Sequence, residues 1–184
     1  MPLEPGEAIP RIRGDAPGKD FNSLHAFAAR PSTHASGLAK PMHNAGLAAL
    51  LAAGTLTTIA ALAHLACIRL GAPAYRFMGA GERMARAVEA GKLQPTLITL
   101  AIAGVLLVWA LYAFSAARVI GELPGTGFVL VAVCVTFLLR ALAFPLLKPA
   151  FPENSTTFWL VSSSICLVLG VLYAIGAISL WANR

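Results

Sequence analysis

The run Ile102-Ala103-Gly104-Val105-Leu106-Leu107-Val108-Trp109 is apolar at every position and does not alternate. Strands of an outer-membrane barrel alternate apolar with polar residues at period two, so this run reads as a helix. Outward from it, Thr96 to Ala117 contains no Asp, Glu, Lys or Arg. About 20 such residues cross roughly 30 Å of hydrocarbon. Three further stretches meet that length: Ala45 to Cys67 or Ile68, Phe128 to Leu147, and Phe158 to Trp181. Only the third of the four spans carries a charge, Arg140. The expected fold is an all-α integral membrane protein of four transmembrane helices, with a short amphipathic interfacial helix between the first and second.

Composition agrees. Of 184 residues, 58% are hydrophobic and 12% charged, with a net charge of +6 and a mean hydropathy of +0.74. A soluble domain keeps about a quarter of its residues charged, so this chain could not cover itself in water. Disordered, collagenous and disulfide-stapled classes are excluded as well.

The connections have the residues such a fold needs. Pro95 opens the second span, where its missing N–H costs nothing. Gly121, Pro124, Gly125 and Gly127 form a short turn between spans two and three, and Ser155 or Thr156 caps the fourth helix. Trp159 and Trp181 stand at opposite ends of that helix and read as headgroup-level anchors. Arg69, Arg76, Arg83, Arg86, Lys92 and Lys148 border the first and third connections, against Arg30, Lys40, Arg118 and Arg184 on the other side, six to four. The Lys and Arg excess marks the cytoplasmic face, which places both termini in the periplasm. Counting Arg11, Arg13 and Lys19 would reverse the bias, but charges distant from a span weigh less in that rule.

Residues 1–41 differ in composition, with proline at positions 2, 5, 10, 17, 31 and 41 and no apolar period. They read as a disordered leader or a flexible arm, without the short apolar core and cleavage site of a signal peptide. Met42 directly precedes the first span, so translation starting there is an expectation that the intact mass of the native protein would check.

In the first connection, residues 71–81 read as irregular and Glu82 to Ala90 as helical. Glu82 and Arg86, and Arg86 and Glu89, are spaced four and three apart on one polar face, while Met84 and Val88 share another. Arg76, Glu82, Arg83, Arg86 and Glu89 form the expected interfacial face, with the cations toward anionic headgroups. A docking helix for a partner protein, or a lid over a cavity, is the alternative. Gly79 and Gly81 are no phosphate loop, since neither the preceding strand nor the following Gly-Lys-Ser or Gly-Lys-Thr is present.

Arg140 lies about 10 Å from the end of span three by helix rise, within snorkelling reach of the headgroups. The other reading is that it faces the bundle and holds a carboxylate, a phosphate or a lipid headgroup. His64, Thr99, Arg140 and Ser162-Ser163-Ser164 all fall one to two turns from the same membrane face. If they converge, they line a cytoplasm-facing polar pocket; if they do not, each satisfies itself on its own backbone. Pro145 removes the hydrogen bond to Ala141 and weakens span three beside Arg140. Gly170 with Ala174, and Gly46, Gly54 and Gly104, are expected at helix contacts.

No catalytic or metal constellation is present in the sequence, and no cofactor or nucleic-acid partner is expected. Cys67, Cys134 and Cys166 stand alone and read as small buried hydrophobes. Axial haem ligation by two histidines would need two within the spans, and only His64 qualifies. No acid lies within a span, which argues against a proton-coupled exporter. Asn154-Ser155-Thr156 fits a glycosylation acceptor, irrelevant on the cytoplasmic side.

The run from Ala63-His64-Leu65-Ala66-Cys67 through Tyr75-Arg76-Phe77-Met78-Gly79-Ala80-Gly81-Glu82-Arg83-Met84-Ala85, continuing to Trp109, Tyr112 and Arg140, resembles small four-span inner-membrane proteins of Gram-negative bacteria. The resemblance implies an inner-membrane location and four helices, and carries over no catalytic residue. The expected role is a structural or accessory subunit without enzymatic activity, engaging membrane lipids, a protein partner or a second copy. The alternative is a small oligomeric transporter or channel for an anionic or amphiphilic solute.

Overall fold

The computed structural model describes residues 33–150, 152 and 154–182. The chain divides into two compact units, Met1–Gly37 and Leu38–Arg184, and the helical bundle belongs to the second. Most of the expected leader lies outside the described residues. The helices are α1 (Thr33–Leu70), α2 (Ala72–Phe77), α3 (Glu82–Glu89), α4 (Gln94–Ala116), α5 (Thr126–Leu142), α6 (Phe144–Leu147) and α7 (Thr156–Ala182), with a 3₁₀ turn at Lys148–Ala150 after α6. No strand occurs among the described residues.

Three segments are long and apolar enough to cross a membrane: Met42–Leu70 of α1, α4 and α7. Their apolar side chains point outward as much as inward. Only 28% of the most apolar window of α4 is buried, and Leu97, Val105, Val108 and Leu111 are exposed around it. A helix that is apolar all round needs hydrocarbon about it, so the chain is a helical membrane protein. The third expected span is not one continuous helix. α5 and the segment Phe144–Ala150 meet at a 59° bend and reach spanning length only as a pair. Pro145 is the cause, because it lacks the N–H that would donate to Ala141.

The core forms where large side chains of some helices meet alanine and glycine on others. Leu130, Val133, Cys134 and Phe137 of α5 face Leu169, Tyr173 and Ala177 of α7, with Leu50, Ala53 and Ala61 of α1 and Leu106, Ala113 and Ala116 of α4 closing the cluster. Without a solvophobic drive between helices in lipid, such packing depends on close backbone approach. A Cβ on Gly170 would lie 2.7 Å from Leu138 Cδ2, one on Gly176 would collide with Leu50, and one on Gly46 would collide with Ser179. Gly54 faces Phe114 in the same way, whereas Gly104, expected at a contact, has nothing within 4 Å and faces outward. A buried polar chain crosses this core: Thr57 donates to Tyr173 Oη at 3.2 Å, and Tyr173 donates to the carbonyl of Trp109 at 3.4 Å.

Helix ends hold the connections. α2, α3 and α4 close with the paired backbone bonds of a Schellman turn, the residue in the left-handed region being Gly79, Gly91 and Arg118 respectively. Ser115, buried near the end of α4, donates to Gly121 O at 3.0 Å and accepts the N–H of Leu123 at 2.9 Å. That single hydroxyl shapes the turn before α5. Ser155 accepts the N–H of Phe158 at 3.1 Å and caps α7, as expected from its position.

Candidate functional site

The first connection is more ordered than its sequence indicates. Residues 71–81, expected to be irregular, contain the helix α2, whose first turn holds Pro73. Proline is preset for that turn. Cys67, Ala72, Tyr75 and Ala85 form a second buried cluster, with Met78, Met84 and Val88 packed against it. Met84 and Val88 thus share the inward face of α3 as expected.

The charges pair differently from the helical spacing. Arg76 forms two bonds with Glu82, Nε to Oε2 at 2.9 Å and Nη2 to Oε1 at 3.0 Å, and its Nη1 lies 2.9 Å from Glu89 Oε1. Arg86 approaches Glu82 only to 3.8 Å. The expected Arg86–Glu89 pair gives way to Arg76 because a guanidinium arriving from α2 offers a planar fork to both carboxylates at once. Hydrogen bonds from Arg76 hold the Glu82 carboxyl below the usual carboxylate range, and the bonds to Glu82 and then Glu89 raise Arg76 further above its ordinary value. Arg83 is exposed.

The six residues proposed for one polar pocket fall into separate places. His64 and Thr99 line a cavity of about 160 Å³ together with Cys67, Tyr75 and Met84. In it, Thr99 donates to Pro95 O at 2.8 Å and accepts from Tyr75 Oη at 2.9 Å, while His64 Nδ1 donates to Ala60 O at 2.8 Å. These are the self-satisfying bonds that Thr and His make inside helices. Neither Arg140 nor any of the three serines lines that cavity.

Arg140 instead turns to α7. Its Nη2 donates to Ser162 Oγ at 3.2 Å, and its guanidinium carbon sits 5.1 Å from the centre of the Trp159 ring. Its Nη1 and the hydroxyl of Ser163 are buried without a hydrogen-bond partner among the described residues. Ser164 is exposed. Trp159, expected as a headgroup anchor, is only 2% exposed, because that face of α7 packs on α5 and lies under Arg140; Trp181 remains exposed. Residue type alone could not separate these two tryptophans.

The structure also joins the first and third connections. Asn154 Nδ2 donates to Gly79 O at 3.0 Å. The Phe158 ring fills the place of a Gly79 side chain. At the other end of the helices, a cleft of about 260 Å³ is lined by His43, Ser115, Arg118, Glu122 and Ser179. Its polar residues come from three separate stretches of sequence, around positions 43, 115–122 and 179, so no single local pattern announces it. Among the described residues, no cluster of His, Cys, Asp or Glu could hold a metal ion.

Comparison with known proteins adds no relative: no family model matches the chain, and no curated protein or solved structure is similar to it.

Proposed function

We propose that this chain is a four-span, non-enzymatic protein of a bacterial inner membrane, a structural or accessory subunit. It engages anionic lipid headgroups or a partner protein through the end of the helices that bears the first and third connections. The observation that carries this reading is the union of those connections through Asn154 and Gly79. It supports an arrangement in which the bent pair of α5 and α6 completes one crossing and returns the chain to the end where α1 finished.

That end is cationic on its outside. Arg69, Arg83, Arg86, Lys92 and Lys148 are exposed there, while Glu82 and Glu89 are engaged by Arg76. Each exposed cation near an anionic leaflet contributes about 1 kcal/mol of attraction. The same excess supports a cytoplasmic position for this end and periplasmic termini. α2 and α3, amphipathic and clamped to one another, then lie along the interface. The transporter reading draws less support, because His64 and Thr99 do not share a cavity with Arg140.

Gentle purification of the tagged protein from native membranes, followed by mass spectrometry of everything retained, tests the role. A stoichiometric protein partner, or selective enrichment of anionic lipid, is the expected result. Recovery with neither sinks the accessory role.

A further inference from the structure

Arg140 presents a charge that the described residues do not answer. It belongs to the last turn of α5, and Trp159, Ser162 and Ser163 stand at positions i, i+3 and i+4 on one face of α7. That face gives the guanidinium an aromatic ring and one hydroxyl acceptor, but no anion. Among the described residues Nη1 and Ser163 Oγ have no hydrogen-bond partner and are buried. Buried polar groups are nearly always hydrogen-bonded, so an unsatisfied pair of donors points to a bound group that supplies acceptors. An ionised group within a membrane segment is functional by default for the same reason.

A second cation flanks the same feature. Lys148 Nζ sits 5.9 Å from the Phe144 ring centre, and Phe144 lies 6.1 Å from Trp159. Arg140 thus lies against one ring and Lys148 against the other of an aromatic pair at the bend between α5 and α6, and Lys148 Nζ also donates to Thr156 Oγ1 at 2.9 Å. Neither pairs with a carboxylate among the described residues, whose ion pairs belong to Arg76 and Arg86. Around the bend, Leu139, Leu142 and Leu146 are exposed, an apolar rim of the kind that acyl chains cover.

We infer that Arg140, with Ser163, forms a site for a phosphate group, carried by an anionic phospholipid whose acyl chains lie along Leu139, Leu142 and Leu146, with Lys148 adding positive charge to the same end of the helices. A phosphate offers several acceptor oxygens to the guanidinium fork and to a serine hydroxyl. Ser162 keeps the fork oriented by accepting from Nη2. This site deepens the lipid half of the function proposed above and does not depend on a protein partner.

The test uses the full chain in phosphatidylcholine nanodiscs with and without phosphatidylglycerol, with retained lipid counted by native mass spectrometry. Wild-type protein retains phosphatidylglycerol selectively. Arg140→Gln weakens that retention about tenfold, the scale of one lost charge-assisted hydrogen bond. Ser163→Ala weakens it to a smaller degree, and this small change guards against a mere folding defect in Arg140→Gln. Ser164→Ala, exposed on α7 beside the site, leaves it unchanged. Equal retention by wild type, Arg140→Gln and Ser163→Ala overturns the proposal, as does loss that Ser164→Ala shares equally. In a parallel arm, thermal protection by inorganic phosphate, lost in Arg140→Gln and unaccompanied by lipid retention, overturns the lipid source and leaves the phosphate chemistry standing. A partner protein that co-purifies equally with wild type and Arg140→Gln, without selective lipid, would sink this site while sparing the subunit role.

Discussion

Arg118 holds a φ of 60°, the one positive value outside glycine among the described residues. Its N–H bonds Ser115 O and the next N–H bonds Phe114 O, so it occupies the position where a Schellman turn favours glycine. A side chain there costs about 1–2 kcal/mol. Arg118→Gly is therefore expected to raise the unfolding midpoint in detergent, by up to about 1 kcal/mol of stability after glycine's greater chain entropy is counted. Because Arg118 also lines the cleft with His43 and Glu122, a fall in the midpoint would show that its side chain stabilises that cleft by more than the strain it imposes. Nothing in the local sequence announces this position. The α4 and α7 faces are equally opaque, because helices apolar all round have no polar side to show which way they turn. Trp159 under Arg140, and Thr57 on Tyr173, were hidden for that reason.

At the scale of elements, legibility follows the same logic in reverse. α3 carries charges and apolar residues at helical spacing, and its inward face was readable from Met84 and Val88. What the spacing missed was Arg76, which reaches Glu82 and Glu89 from another helix. That clamp has a pH signature. Glu82 is depressed in the folded chain, so its contribution is present above the unfolded glutamate value of about 4.3 and is lost as pH falls through the lower folded value. Relative to intrinsic rates, amide exchange in α2 and α3 should accelerate under acid, and Arg76→Gln should lower protection in the same way near neutrality. Unchanged exchange in both would show that the apolar cluster of Tyr75 and Ala85 holds these helices without the clamp. Glycine pairs offer a second contrast. Gly46→Ala drives a methyl into Ser179, whereas Gly104→Ala enters open space and gains about 1 kcal/mol of helix propensity. The first should lower the unfolding midpoint and the second leave it level or raise it; similar effects would mean that α1 and α7 separate easily at this point.

For the whole molecule, length and apolarity made three spanning helices legible, and Pro145 made the fourth ambiguous. A single span broken at 59° and a re-entrant loop have the same composition. They differ in where Lys148 emerges. If α5 and α6 complete a crossing, Lys148 shares a membrane face with Lys92 and lies opposite Glu122. The bond from Asn154 to Gly79 supports that arrangement, since the loop holding Asn154 must then meet the loop holding Gly79 on one side. Single cysteines at 92, 122 and 148, in a background with Cys67, Cys134 and Cys166 replaced by Ala, should sort with a membrane-impermeant maleimide as 92 and 148 together and 122 apart. Right-side-out and inverted vesicles give the two accessibilities independently. Labelling of 122 and 148 from one side would make the bent pair re-entrant. Lys148 would then be separated from the connection that Asn154 reaches, and both the four-span topology and the joined cationic end would fall together.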